Sequence, residues 1–160
     1  CCRGRLVHDV REALFASGLP ATQLVLELTE TSLLHDLAAA AVTLTELAEM
    51  EVRVALDDFG TGYASLSYLQ NLPIHAIKID RSFVQRLGDD STSSAVTQAL
   101  VNLAETLGIS QIAEGVETPE QLHRLRGLQC AFGQGFFFSS PIPPEELSKV
   151  LADERASAAS

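Results

Sequence analysis

At 160 residues, 46% of them hydrophobic and 20% charged, the chain has enough apolar material for one core and excludes a disordered, collagenous or low-complexity protein. It falls short of the roughly 250 residues that a closed α/β barrel takes, and no apolar run approaches the roughly 18 residues needed to span a membrane. Eleven Lys and Arg against 21 Asp and Glu give a formal charge of −10, which argues against a nucleic-acid polymer as partner and leaves a polyanionic ligand in need of a metal ion or a local cation.

In chain order, apolar β-rich runs of about five or six residues alternate with longer segments of 3.6-residue period, the pattern of successive βα units on a parallel sheet. Val7, Val10 and Leu14 space an opening helix that stops at Gly18 and Pro20. Gln23 to Leu28 is the first strand, and the helix after it carries Leu33, Leu37, Ala40, Leu44 and Leu47 on one stripe. Val52 to Leu56 is the second strand, closed by Asp57, Asp58 and the turn Gly60-Thr61-Gly62 before a short helix through Leu66 and Leu69. The third strand is Ala76 to Ile79; its crossover helix uses Val96, Leu100, Leu103 and Leu107 and ends at Gly108, a residue suited to a left-handed helix end. Ile109 to Ala113 is the fourth strand, followed by Thr118-Pro119-Glu120-Gln121, a capping box with Pro at the first helical position. A fifth strand is expected over Gly133 to Phe138, a last helix near Pro144 with Leu147, Val150 and Leu151, and a fraying tail over 153–160.

The chain thus reads as α/β, with about five βα units of one parallel sheet, too few to close a barrel of eight. It opens on Cys1 and its only methionine is Met50, so a piece of a longer protein is expected. Cys1, Cys2 and Cys130 form neither a disulfide framework nor a zinc pattern, which points to a reducing cytoplasm.

In a parallel α/β sheet the C-terminal strand ends share one rim, and ligand sites form there because the following loops converge. Strand one ends near Glu27 and leads to Thr29 and Glu30; strand two ends in Asp57 and Asp58; strand three contains Lys78 and runs into Asp80. Strand four ends in Glu114, with Glu117 three residues on, and strand five holds Gln134. Singly, each has an ordinary structural reading: Asp58 or Glu30 as a helix cap, Lys78 reaching to solvent, Gln134 pinning a turn. Recurring at the same point of five units, they point to a shared site. Gathered carboxylates repel each other and take up protons unless a cation neutralises them. Oxygen donors without His or Cys suit Mg²⁺ or Mn²⁺ and disfavour zinc. Two adjacent aspartates can serve two ions, one of them bridging, as in in-line attack on a phosphodiester. His8, His35, His75 and His123 lack metal-ligand spacing and read as surface or packing residues. A buried strand lysine also admits a barrel lyase with Lys78 forming a Schiff base.

ELTET from Glu27, DDFGTGYASLSYL from Asp57, KIDRSFV from Lys78, AEGVET from Ala113 and GQGFFFSSP from Gly133 resemble, in order and spacing, the EAL-domain cyclic diguanylate phosphodiesterases. The resemblance implies a partial (β/α)8 TIM-type barrel, one strand of the full barrel running antiparallel, that binds cyclic di-GMP at its C-terminal rim and hydrolyses it to linear pGpG with two Mg²⁺ or Mn²⁺ ions. It implies Glu27 as a ligand of the first metal, Asp57 as the bridging ligand and Asp58 as a ligand of the second. Lys78 resembles the lysine that orients the attacking water and steadies the phosphate charge, and Glu114 the general base or second-metal partner. Glu117, Gln134, Asp80 and Thr61 resemble supporting residues. Glu30 resembles the residue that holds the loop Phe59 to Ser65, which in the family couples the site to a dimer contact.

The family's signature Glu-Ala-Leu strand and the asparagine ligand on the strand after it have no counterpart here. Glu12 to Leu14 matches a helical triplet instead. The expectation is a single incomplete domain over 1–160, with the first metal site incomplete and hydrolysis by this chain slow or absent. The alternative is a catalytically inactive cyclic di-GMP-binding or dimerising regulatory module. A homodimer or self-association through exposed sheet edges is expected, with no membrane contact from this segment and any membrane anchor carried by other domains of a cytoplasmic parent.

Overall fold

The computed structural model describes residues 3–61, 69–88 and 91–150. In order these form α1 (Arg3–Ser17), a 3-10 turn (Ala21–Gln23), β1 (Val25–Thr29), α2 (Glu30–His35), α3 (Leu37–Glu49), β2 (Arg53–Phe59), β3 (Ala76–Ile79), α4 (Arg81–Gln85), α5 (Ser91–Thr106), β4 (Ser110–Glu114), α6 (Pro119–Gly127) and β5 (Phe132–Gln134). A further helix, α7, covers 144–150. Gly62, the short helix through Leu66, the loop as far as Ser65, and Leu151 with the tail 153–160 lie outside the described residues.

The five strands make one sheet in the order β1-β2-β3-β4-β5, and every ladder is parallel. The antiparallel strand of the full barrel is not among the described strands. Residues paired across a parallel ladder point to the same side of the sheet, and alternate residues along a strand share a side. Leu56 pairs with Ile77, Ile77 with Gln111, and Ala113 lies two residues on, so Val54, Leu56, Ile77, Ile79 and Ala113 share one face. That face is covered. Val7 and Val10 of α1, Leu33 of α2, and Leu44 and Leu47 of α3 pack with Val54, Leu56 and Ile77. Leu125 of α6 packs with Ala113, Val84 and Val116. Leu33, Leu56 and Ile77 are wholly buried, and each such side chain contributes about 1.5–3 kcal/mol. Both clusters sit on one side of the sheet, as in a barrel wall and unlike a doubly wound sheet.

Three expectations need correction. The stripe from Leu33 to Leu47 is two helices, broken at Asp36 (φ −150°), whose carboxylate accepts the Ala39 amide at 3.1 Å and caps α3. A short polar side chain that bonds its own backbone competes with helix continuation, and the break leaves Leu37 37% exposed. The fifth strand is Phe132–Gln134, three residues long, where Gly133 to Phe138 was expected. After Gln134 the chain turns over Val116: the Val116 amide donates to the Gln134 carbonyl at 3.0 Å and the Phe137 amide to the Val116 carbonyl at 2.9 Å. A side chain at position 135 would collide with the Val116 backbone, so Gly135 is required there. The second strand is longer than Val52 to Leu56, running on to Phe59.

Candidate metal and phosphodiester site

The site lies on the other face of the sheet. Glu27 pairs with Ala55, Ala55 with Ala76 and Ala76 with Ser110, while Glu114 pairs with Gln134. Glu27, Asp57, Lys78, Glu114 and Gln134 therefore all project from one side, near the strands' C-terminal ends. Asp58 breaks this alternation. Three residues of β2, from Leu56 to Phe59, span the two steps of β3 from Ile77 to Ile79, so β2 carries one extra residue. Asp58 is the residue with positive φ in this stretch, at 55°. The bulge sends Phe59 to the covered face, where it is 1% exposed, and turns Asp58 back towards Asp57. A left-handed aspartate costs about 1 kcal/mol, less than a bulkier residue, because its short side chain bonds locally.

Asp57, Asp58 and Glu114 each offer a carboxylate oxygen within 4.8 Å of the others, the arrangement of a cation cradle. Lys78 sits beside them, buried in a strand whose other members are apolar. Its ammonium donates to Glu114 Oε1 at 2.6 Å, Glu27 Oε2 at 2.8 Å and Asp57 Oδ1 at 3.1 Å, so three N–H groups meet three carboxylates. Burial alone would lower its pKa; the hydrogen bonds to Glu114, Glu27 and Asp57 outweigh it and hold the ammonium well above its ordinary value. A Schiff-base amine must be neutral, so this environment opposes the lyase reading. Four carboxylates against one ammonium leave a surplus of negative charge. An all-oxygen donor set with such a surplus fits a hard divalent cation, and among the described residues no His or Cys belongs to the cluster.

The side chains of the remaining expected residues join neither the three carboxylates nor the hydrogen bonds of Lys78. Glu30 is 2% exposed; its Oε2 accepts the Gly60 amide at 3.3 Å, while its Oε1 has no hydrogen-bond partner among the described residues. Thr61 Oγ1 donates to the Asp58 carbonyl at 2.9 Å. Asp80 caps α4, accepting the Ser82 amide at 2.9 Å. Burial alone would raise its carboxyl; the hydrogen bonds from Ser82 and Arg81 and the Arg81 charge prevail and hold it below the ordinary carboxylate value. Glu117 is exposed, and its amide donates to Gln121 Oε1 at 2.8 Å as part of the α6 cap. Gln134 is exposed on β5, opposite Glu114.

Two of the histidines serve other purposes. His8 lies 3.4 Å from Glu12 on α1, and His75 Nδ1 accepts the Val54 amide at 3.3 Å. Burial pushes the Cys130 thiol up, which leaves it a poor nucleophile. A groove of ≈ 290 Å³ between α1, α3 and the outer edge of β1, lined by Leu6, Leu26, Leu28, Ala40 and Leu44, reaches the site only at Glu27.

The chain matches known proteins along most of its length. The family model described as EAL domain matches residues 2–141. Over 164 aligned residues the chain is 42% identical to the cyclic di-GMP phosphodiesterase NbdA of Pseudomonas aeruginosa, covering 99% of this chain and 21% of that protein. It is similar to the solved structure of the PaMucR phosphodiesterase in complex with c-di-GMP, with 44% identity and a TM-score of 0.85 over 89% of this chain and 57% of that one. A Klebsiella pneumoniae BlrP1 complex with manganese and the cyclic dinucleotide is 35% identical, with a TM-score of 0.79 over 84% of this chain and 34% of that one. The chain spans about a fifth of the length of the curated relatives it matches.

Proposed function

The chain belongs to the EAL domain family, and from that premise we propose that it carries the metal-binding and phosphate-facing part of a cyclic di-GMP phosphodiesterase. The observation that supports this is the gathering of Asp57, Asp58 and Glu114 beside the buried Lys78 on one rim. Asp57, Asp58 and Glu114 would hold Mg²⁺ or Mn²⁺, which supplies the positive charge that a phosphodiester under attack requires. Lys78, kept protonated by its three partners, is a second positive centre that would meet the developing phosphate charge, and it would orient a water once an ion draws one of those carboxylates away and frees an N–H. Glu114, bonded to that ammonium, would accept the water's proton or serve as a ligand to a bound ion. Glu30 fixes the Gly60 end of the loop through its amide. Glu117 and Gln134 flank Glu114 on the same rim and are assigned to the cyclic dinucleotide or to water. Incubation of the chain with cyclic di-GMP and Mn²⁺, followed by chromatography, tests the reading. Slow, metal-dependent appearance of linear pGpG supports it, and product formation indifferent to chelator refutes it.

A second reading, binding without hydrolysis, is favoured by Glu27, which bonds Lys78 and is 50% exposed, outside the cluster of Asp57, Asp58 and Glu114. Calorimetry with the dinucleotide, with and without metal, separates the two: binding with no product over days selects the regulatory module. We also propose self-association through the sheet edges, since Val25 on β1 is 48% and Phe132 on β5 is 61% exposed. A monomer mass in light scattering at high concentration would remove that proposal. Among the described residues no helix is long and apolar enough to cross a membrane, and a cytoplasmic setting is proposed from the chemistry of the ligand.

A further inference from the structure

We propose that the Thr61 hydroxyl is the positioning group that keeps Asp58 in its left-handed conformation and so keeps the Asp58 carboxylate in the acidic cluster. The proposal rests on the reading of that cluster as a cation site, and it concerns how the chain builds the cluster. In a regular strand the side chains of Asp57 and Asp58 would leave opposite faces, and Asp58 would share the covered face with Leu56 and Ile77. One extra residue in β2 and a φ of 55° at Asp58 prevent this. Both features need a restraint, because an L residue does not favour positive φ and nothing in the β2–β3 ladder pairs with the bulge.

The restraint comes from four local contacts of different weight. The Gly60 amide donates to the buried Glu30 carboxylate at 3.3 Å, and a side chain at Gly60 would press on Phe83 and Leu100 at 3.0 and 3.2 Å, so the far end of the turn is pinned by packing. At Asp58 itself, the amide donates to the side chain of Asp57 at 3.1 Å, an acceptor that cation binding would compete for. The Thr61 amide reaches the Asp58 carbonyl at 3.4 Å, which is long for an N–H donor. The short bond to that carbonyl is the one from Thr61 Oγ1, at 2.9 Å. It fixes the orientation of the peptide plane that follows Asp58, and with it the direction of the carboxylate. The Thr61 side chain is exposed, so its hydroxyl acts on the cluster through Asp58 and without burying apolar surface.

The test compares the full chain with Thr61→Val, which removes the hydroxyl at nearly constant shape, and Thr61→Ser, which keeps it. Two readouts are taken: the one-bond 13Cα–1Hα coupling at Asp58 by NMR, which separates positive from negative φ, and Mn²⁺ affinity by titration. The expected result is that Thr61→Val loses the positive-φ signature and binds Mn²⁺ about tenfold or more weakly, as changes beside metal ligands do, with an unchanged melting temperature. Thr61→Ser retains both. The proposal is overturned if Asp58 keeps positive φ in Thr61→Val, or if it loses that conformation while Mn²⁺ affinity stays at the wild-type value. A wild type that binds no Mn²⁺, with Asp58 still flipping in Thr61→Val and held in Thr61→Ser, supports the positioning role and refutes the cation reading.

Discussion

The two faces of this sheet are built from the same five strands and follow opposite rules. On one, Val54, Leu56, Ile77 and Ala113 are almost completely covered by α1, α2, α3 and α6, and the stabilisation comes from removing apolar surface from water. On the other, Glu27, Asp57, Asp58 and Glu114 crowd around one ammonium with more negative charge than it balances. The first face makes the fold stable, while the second holds more negative charge than its one ammonium balances, the kind of surplus that a bound cation would offset. Lys78 connects the two, since its strand is part of the core and its head group belongs to the site.

The comparison breaks most visibly with Leu56→Ala. A wholly buried leucine under α2 and α3 should cost about 2–5 kcal/mol by urea denaturation, with Mn²⁺ affinity unchanged in the fraction that remains folded. A loss under about 1 kcal/mol would mean that this face is not the core. Lys78→Met should cost less, about 1–3 kcal/mol in metal-free buffer, because Glu27, Asp57 and Glu114 keep some access to water when their shared donor is removed. It should also abolish phosphodiester cleavage. A Lys78→Met chain with wild-type turnover would remove the lysine from the chemistry.

How much of this was legible in the sequence depended on whether the signal was local. Ala76–Ile79 is bounded by the strand as it was read, because a short apolar run with a single lysine fits no amphipathic helix. Both reciprocal bonds of the Thr118–Gln121 capping box form, since all their atoms belong to four consecutive residues. The break at Asp36 was hidden: the apolar stripe on either side keeps helical spacing, which masks the one local signal, an aspartate whose carboxylate caps the helix that follows. The end of β5 was hidden too, because Phe136 to Phe138 have strand propensity and the turn over Val116 is a long-range contact. The polar residues at the strand ends were visible as a pattern. The bulge that lets two adjacent aspartates face one point was not, although two neighbouring acids at the end of an apolar strand were its only trace.

Asp80 sharpens the comparison, because it sits on the rim beside the site and serves the fold. Asp80→Ala should cost about 1 kcal/mol at neutral pH, in the lower part of the range for a helix cap because the group is partly exposed. Its folded pKa lies below the unfolded one, so the ionised cap contributes fully above about pH 4 and the contribution disappears as pH falls through the folded value. Urea titrations of wild type and variant at pH 7, 5 and 3 should converge towards the acid end. A difference that grows on acidification would give the residue another role.

The smallest expected effect on stability separates the faces most cleanly. Asp58→Asn removes one charge from the acidic cluster and changes little else: asparagine accepts positive φ as readily as aspartate, and the Thr61 hydroxyl and amide both donate to the Asp58 carbonyl, which the substitution keeps. Stability in metal-free buffer should therefore stay within about 0.5 kcal/mol of wild type, or rise as repulsion with Asp57 and Glu114 is relieved. Mn²⁺ affinity should fall at least about tenfold, as it does when even an indirect support of a metal ligand is lost. Leu56→Ala and Asp58→Asn then form a crossed pair, one losing stability at constant affinity and the other losing affinity at constant stability. If Asp58→Asn unfolds the chain, or binds the ion as wild type does, the acidic face is part of the scaffold and the division between the two faces is wrong.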